Sequence, residues 1–302
     1  MAQMYDKKLT KTLEIGGKTL KRFKQIQNDT IEEAKKLSAH KNKKIKVLGV
    51  SGSARSKEDM AQEDSNSEML LSHCLEHCKK IGADFELIKL RDYRIEHCKA
   101  CYSTTNTQCH FYCSCYPKGT PAGDDMSNIL YDKILEADVI IFATPINNSK
   151  ISSLMALFID RCISLDGSLK PANPDFSKDR NLNIKHTNFV VMNSNRKTPG
   201  SGFLRRFAGK VAGIIVTGHE EGASLAISSL FMTLNHWGMI FPPWSNAYAM
   251  ASFKNPTHED KKILKDQIYI HEVEDLAENT IALANLVRKF GKQNWRYDYS
   301  LN

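Results

Sequence analysis

Two apolar runs without polar alternation, residues 139–143 (Val-Ile-Ile-Phe-Ala) and 211–216 (Val-Ala-Gly-Ile-Ile-Val), limit the fold most. Strands that are apolar on both faces belong in a sheet covered on both sides, the habit of parallel α/β sheets. Shorter runs at 45–50, 85–90 and 239–241 supply three more strands. Between and after them lie helical periods at 66–81, 126–136, 152–163 and 223–237, with one or two helices in 257–290. This alternation predicts βαβ units in an α/β, doubly wound, five-stranded parallel sheet with helices on both faces. Ligands of such sheets bind at the carboxyl ends of the strands. The loops after Val50, Ala143 and Val216 are therefore the places to seek function.

Composition narrows the class. The chain has 302 residues, 41% hydrophobic and 25% charged, which excludes disordered, collagenous and disulfide-stapled types. No apolar run approaches the roughly 18 residues of a membrane span, and the first thirty residues lack an apolar signal region. A cytoplasmic protein without a membrane is the expectation. The net charge of +8 is local: residues 1–50 hold 13 Lys and Arg against 5 Asp and Glu, whereas the other 252 hold 29 of each. Residues 1–44 thus read as a basic extension, with a small hairpin around Gly16-Gly17 and a short amphipathic helix capped by Asp29-Thr30 and running through Leu37. Few aromatics interleave its charges, so nucleic acid is not the expected partner, and an arm packed on a neighbouring subunit is. Residues 164–206, rich in Pro, Asn, Ser and Lys, read as an insertion with one strand at 189–192, and residues 291–302 as a tail.

The first strand ends in Ser51-Gly52-Ser53-Ala54-Arg55, and Ser65-Asn66-Ser67 opens the next helix after the insert 56–64. Backbone N–H groups at a helix start, with short hydroxyl and amide side chains, suit an anion. Neither a Walker loop nor a Gly-x-Gly-x-x-Gly pattern is present. The second loop is Thr144-Pro145-Ile146-Asn147-Asn148-Ser149-Lys150, and the third is Thr217-Gly218-His219-Glu220-Glu221-Gly222. Both offer main-chain donors to the edge of a flat ring. His219 and Glu220 are a proton donor to a reacting group or an ordinary exposed loop.

Residues 47–55 with Ser65-Asn66-Ser67, then 137–146, 152–161, Thr217-Gly218, Gly238-Met239 and Pro242-Pro243, resemble flavodoxin-like NAD(P)H-dependent FMN reductases over about 45–165 and 208–290. The resemblance implies a flavodoxin-like domain over 45–290 and bound FMN. Carried over by position, Ser51, Ser53, Arg55, Ser65, Asn66 and Ser67 would hold the flavin phosphate. Thr144, Pro145, Ile146, Asn147, Asn148, Ser149 and Lys150 would border the isoalloxazine, with Thr217, Gly218 and Gly222 on its other edge. Family members often carry an aromatic residue where this chain has Asn147-Asn148. The implied activity is hydride transfer from NAD(P)H to FMN and onward to a quinone, flavin, metal or nitro/azo acceptor, in a homodimer or homotetramer.

Eight cysteines complete the pattern, five of them spaced Cys98-x2-Cys101-x7-Cys109-x3-Cys113-x1-Cys115 in the loop 96–124. Cys98-x-x-Cys101 ahead of Asp124-Asp125-Met126 resembles the iron–sulfur flavoproteins, although Tyr102-Ser103-Thr104-Thr105 lacks the expected third thiol. Three readings stand: a [4Fe–4S] cluster, a structural zinc site with His110 among the ligands, and plain thiols. The first would make the chain an electron carrier exchanging with ferredoxin. A non-enzymatic flavin-fold module with a basic binding arm is the other alternative. Cys74, Cys78 and Cys162 read as core residues, and Trp237, Trp244 and Tyr248 as core, dimer contact or a cap on a neighbour's flavin.

Overall fold

The computed structural model describes residues 2–38, 44–60, 62–102, 107–172, 179–218, 222–250 and 260–290. Helices α1 (Ala2–Leu13) and α2 (Gly17–Ser38) precede β1 (Lys46–Ser51), α3 (Asn66–Lys80) and β2 (Asp84–Lys89). Then come α4 (Tyr131–Glu136), β3 (Val139–Asn147), β4 (Lys150–Ile151), α5 (Ser153–Cys162), β5 (Asp166–Ser168), α6 (Arg180–Asn193) and β6 (Leu204–Arg205). The chain continues through β7 (Val211–Gly218), α7 (Ala223–His236), β8 (Asn246–Met250) and α8 (Gln267–Phe290).

Five strands form a parallel sheet in the order β2-β1-β3-β7-β8, the flavodoxin-like order with one reversal beside β1. Val47 pairs with both Phe85 and Val139, and Ile141 with Gly213, so the unalternating runs fill the sheet's centre. Its two faces bury separate cores. One packs Ile140, Phe142 and Ile214 against Met155, Phe158, Leu230 and Leu234 of α5 and α7. The other packs Val47, Ile141 and Ile215 against Leu71, Leu75, Val273 and Leu276 of α3 and α8. Cys74, Cys78 and Cys162 are fully buried in these layers, as core residues. Trp237 is buried and stacks on Phe207 at 4.9 Å, whereas Trp244 and Tyr248 are exposed.

Four local expectations are corrected. Residues 239–241 are not the fifth strand: Ile240 makes an isolated bridge to Val211 before Pro242-Pro243, which lack the N–H a ladder needs. The ladder resumes when Ser245 O accepts from Ile214 N at 2.8 Å, and β8 follows. No hairpin surrounds Gly16-Gly17; Leu9 and Leu13 of α1 and Leu20, Phe23, Ile26 and Ala34 of α2 recur at helical spacing and are buried. Thr30 does not cap a helix, since its hydroxyl donates to Ile26 O within α2 at 2.8 Å. Residues 189–192 lie in α6, capped by Asp179 and burying His186, Phe189 and Val190 on one side.

Helices α1, α2 and α6 share a third core, Leu9, Leu13, Leu20, Phe23, Phe189 and Val190, with Leu169 and Phe203. The basic arm thus packs on its own chain. Arg206, fully buried, ties it down: Nε donates to Glu33 Oε1 of α2 at 2.6 Å and Nη1 to Ser168 Oγ at 3.0 Å. Burial alone would push the Glu33 carboxyl up; Arg206 and Lys170 outweigh it and hold the group below the usual range.

Candidate functional site

The carboxyl ends of β1, β3 and β7 stand side by side, with Ser51 opposite Ala143 and Pro145 opposite Thr217. The first loop is braced from below. Gly52 N–H donates to Ala143 O at 2.8 Å, and Gly52 O accepts from Ser152 Oγ at 2.6 Å. A Cβ at Gly52 would lie 2.9 Å from both Met155 Cβ and Ser152 Oγ, so only glycine lets the loop sit this close to α5.

Ser51, Ser53, Ser65 and Ser67 are buried around this turn, with Arg55 and Asn66 half-buried beside them. Ser53 Oγ accepts from Arg55 N at 3.1 Å. Ser65 caps α3, accepting from Glu68 N at 3.3 Å, and its Oγ lies 3.2 Å from Ser67 Oγ. A buried hydroxyl cluster at the start of a 15-residue helix is chemically suited to phosphate oxygens.

The second loop turns on two residues of positive φ, Asn148 (50°) and Ser149 (60°), and pairs Asn147 with Lys150 across β3 and β4. All four of these residues are exposed, Pro145 is half-buried and Ile146 is buried. Thr144 is buried and serves the turn itself: its Oγ1 accepts from Ser152 N at 3.1 Å and donates to Pro145 O at 3.0 Å. The third loop touches the second. Gly222, at φ 137°, lies so near Ser149 that a Cβ would stand 2.8 Å from its Cα and its O. Thr217 is buried and Gly218 half-buried; His219, Glu220 and Glu221 lie outside the described residues. The three loops therefore share one rim, joined through Ser152 and Ser149.

Sequence reasoning missed the charged group behind the first loop. Glu68, nearly fully buried, meets Ser51, Arg91 and Lys89. Its signal was present: Ser65-x-x-Glu68 is the spacing of a capping box. Burial would raise its carboxyl pKa, but Arg91 and Lys89 hold it below the ordinary value.

The cysteine loop sits on a buried ion pair. Arg161 of α5 forks onto Asp124, with Nη2 to Oδ1 at 3.2 Å, donates to Glu96 O at 2.8 Å, and lies 4.4 Å from the Tyr116 ring centre. Asp124 also accepts from Glu96 N and Ser127 N. A two-way bridge of Phe111 N to Leu169 O and Leu169 N to Cys109 O, each 2.9 Å, joins the loop to the segment after β5.

The expected metal ligands do not form a centre. Among the described residues, no group of three or more His, Cys, Asp or Glu side chains is placed to hold a metal ion. Cys101 hydrogen-bonds with Cys109 and with Cys115, and Cys113 with Cys115, a chain of pairs among thiols. Cys98 Sγ accepts instead from Ala100 N at 3.5 Å. The bond to Cys109, with burial, pushes the Cys101 thiol up to about 11, and Cys115 and burial push Cys113 up as well. His110 is engaged at both ring nitrogens, by Ser114 Oγ at 2.6 Å and Asn183 Nδ2 at 2.9 Å, which leaves no lone pair for zinc. Among the described residues neither the ligand set of a [4Fe–4S] cluster nor that of a zinc ion is assembled.

Comparison with known proteins agrees with the loops. Residues 45–180 match the model of the family described as NADPH-dependent FMN reductase, so the resemblance drawn from the sequence holds over that segment. The chain is 29% identical over 117 residues to an iron-sulfur flavoprotein of Archaeoglobus fulgidus, covering 39% of this chain and 48% of that protein. It thus spans about half the length of this curated relative. Among solved structures it is similar to RosB with a bound 8-demethyl-8-formylriboflavin-5'-phosphate intermediate, at TM-score 0.55 and 18% identity over 81% of each chain. A flavone reductase aligns at TM-score 0.48 and 19% identity over 80% of this chain and 63% of that one. The fold is flavodoxin-like. No helix among the described residues is long and apolar enough to cross a membrane.

Proposed function

We propose that this chain is an FMN-dependent oxidoreductase that takes hydride from NAD(P)H and passes electrons to a small-molecule acceptor of the quinone, flavin, metal or nitro/azo class. The observation that carries the reading is the shared rim: three strand-end loops of a flavodoxin-like sheet, joined at Ser152 and Ser149, with buried serine hydroxyls at one end. The family match over 45–180 supports the same cofactor. Bound FMN would supply the chemistry, accepting hydride and releasing electrons, while the protein supplies orientation and electrostatics.

The residues fit that division. Ser53, Ser65, Asn66 and Ser67 would hold the phosphate through hydroxyl, amide and helix-start N–H groups, with Arg55 as the nearby cation. Pro145, Ile146 and the 147–150 turn would border one edge of the ring, and Thr217, Gly218 and Gly222 the other. Asn147 and Asn148 put short amides, not an aromatic ring, on that rim, and leave a ring face open to donor and acceptor in turn. A cytoplasmic homodimer or homotetramer is part of the proposal.

The test is reconstitution with FMN followed by anaerobic mixing with NADH or NADPH. One FMN per chain, bleached by either nucleotide and re-oxidised by a quinone or azo dye, is the expected result. A chain that refuses FMN, or holds FMN that neither nucleotide bleaches, overturns the reading.

A further inference from the structure

Glu68 is the buried acid nearest the first loop, at the third position of α3. Its carboxylate gathers three groups. Ser51 Oγ donates to Oε2 at 3.0 Å; Arg91 forks onto both oxygens, at 2.5 and 3.0 Å; Lys89 Nζ stands 2.7 Å from Oε1. Arg91 Nη1 also reaches the Ser53 carbonyl at 3.4 Å.

This pattern settles where protons lie. An ionised carboxylate only accepts, so the Ser51 hydroxyl is the donor, and its own oxygen takes the Ser53 N–H at 3.5 Å. The Ser51 proton is spent inside the protein and cannot reach a ligand oxygen. Ser53 differs, because its hydroxyl accepts from Arg55 N and keeps its proton free to donate. Within the Ser65–Ser67 pair one proton serves the pair and the other remains. The loop therefore divides into an outer set of donors and an inner support of Ser51, Glu68, Arg91 and Lys89.

We propose that Glu68 is a positioning residue for the flavin phosphate: it fixes Ser51 and, through Arg91, the Ser53 carbonyl, so that the preset loop distinguishes a phosphorylated flavin from an unphosphorylated one. The inference rests on the FMN reading above. Its physical basis is pre-organisation, since a loop held in its binding geometry loses less freedom when the phosphate arrives. Ser51 acts through Glu68 and is not itself a phosphate ligand.

The experiment compares FMN and riboflavin binding to the full chain by quenching of flavin fluorescence. Glu68→Gln keeps the shape and one acceptor but removes the charge that gathers Ser51, Arg91 and Lys89. The FMN dissociation constant should rise at least about tenfold, as charge-assisted bonds are lost, while that for riboflavin stays within about twofold. Ser51→Ala combined with Glu68→Gln should cost no more than the worse single change, because both act through one support. An unchanged FMN-to-riboflavin ratio, a tighter grip on FMN, or additive losses overturns the proposal. Should Glu68→Gln lose both flavins, Arg91→Lys decides: it keeps the charge but not the fork, and a riboflavin-only binder supports the inference whereas an unchanged ratio ends it. A natural chain that binds neither flavin removes the FMN reading together with this inference; an unchanged ratio in a chain that binds FMN removes the inference alone.

Discussion

Acid should release the α1–α2–α6 module before the sheet unfolds. Two histidines make it so. His186 is fully buried on α6, stacked 4.6 Å from the Phe23 ring and 6.4 Å from Phe189, and neither ring nitrogen has a hydrogen-bond partner. Burial lowers its pKa from 6.5 to about 3. His110, bonded to α6 through Asn183, is lowered by burial to about 4. Both are neutral when the module is docked and free to charge when it is released. Their depressed values place the full stabilisation above pH 6.5, and it drains away as pH falls toward 4, because the released state binds the protons. At pH 5 each group costs about 2 kcal/mol, and the pair about 4 kcal/mol relative to neutral pH. Glu33 works in the same direction, since its lowered carboxyl loses the Arg206 pairing as it protonates. Hydrogen exchange with mass spectrometry, corrected for the intrinsic rate at each pH, reads the effect. Peptides from α2 and α6 should lose two to three decades of protection, roughly 4 kcal/mol, between pH 7 and pH 5. Those from β3 should change far less. His186→Phe should remove about half of the acid sensitivity and add stability at pH 5. Equal protection of α2 and α6 at the two pH values, or a pH profile untouched by His186→Phe, would refute the reasoning.

Two substitutions probe the loops around the site. Gly222→Ala strains a φ of 137° and drives a Cβ into the Ser149 backbone, so the 147–150 turn must shift. FMN affinity should fall by about 1–2 kcal/mol, roughly tenfold or more, in a fluorescence titration, and urea unfolding should show a stability loss of about 1–3 kcal/mol from the same strain. Arg161→Met leaves Asp124 buried without its cation and removes the stack on Tyr116. The loss should be about 3–5 kcal/mol in urea unfolding, and Asp124→Asn added to it should restore part of the stability. A milder loss would mean that water already reaches the pair.

The strands at the centre of the sheet were legible because burial on both faces leaves a sequence mark that no helix face shares. Runs 139–143 and 211–216 became β3 and β7, and the loops after them became the rim. The strand β8 left no such mark: Asn-Ala-Tyr-Ala-Met buries only the small Ala247 and Ala249, and pairing with Ile214–Gly218 makes it a strand. The arm misled for a related reason. Gly16-Gly17 reads as a turn of any kind, and the choice between hairpin and helices is made by Phe23 finding Phe189 across 166 residues of chain.

Charged pairs are harder still, because a sequence shows formal charge and not the company it keeps. Glu68 and Arg91 are 23 positions apart and would each pass for a surface residue. Arg161 and Asp124, 37 apart, would pass the same way, yet both are buried, where either without the other would be an unpaired charge. The same reasoning separates the cysteines. Spacing counts thiols that could converge, whereas convergence depends on what braces the loop between them. Here the Leu169 bridge and the Arg161–Asp124 pair hold the loop by backbone and charge. Among the described residues these contacts bring Cys101, Cys109, Cys113 and Cys115 together as hydrogen-bonded thiols, a pairing that spacing alone does not show.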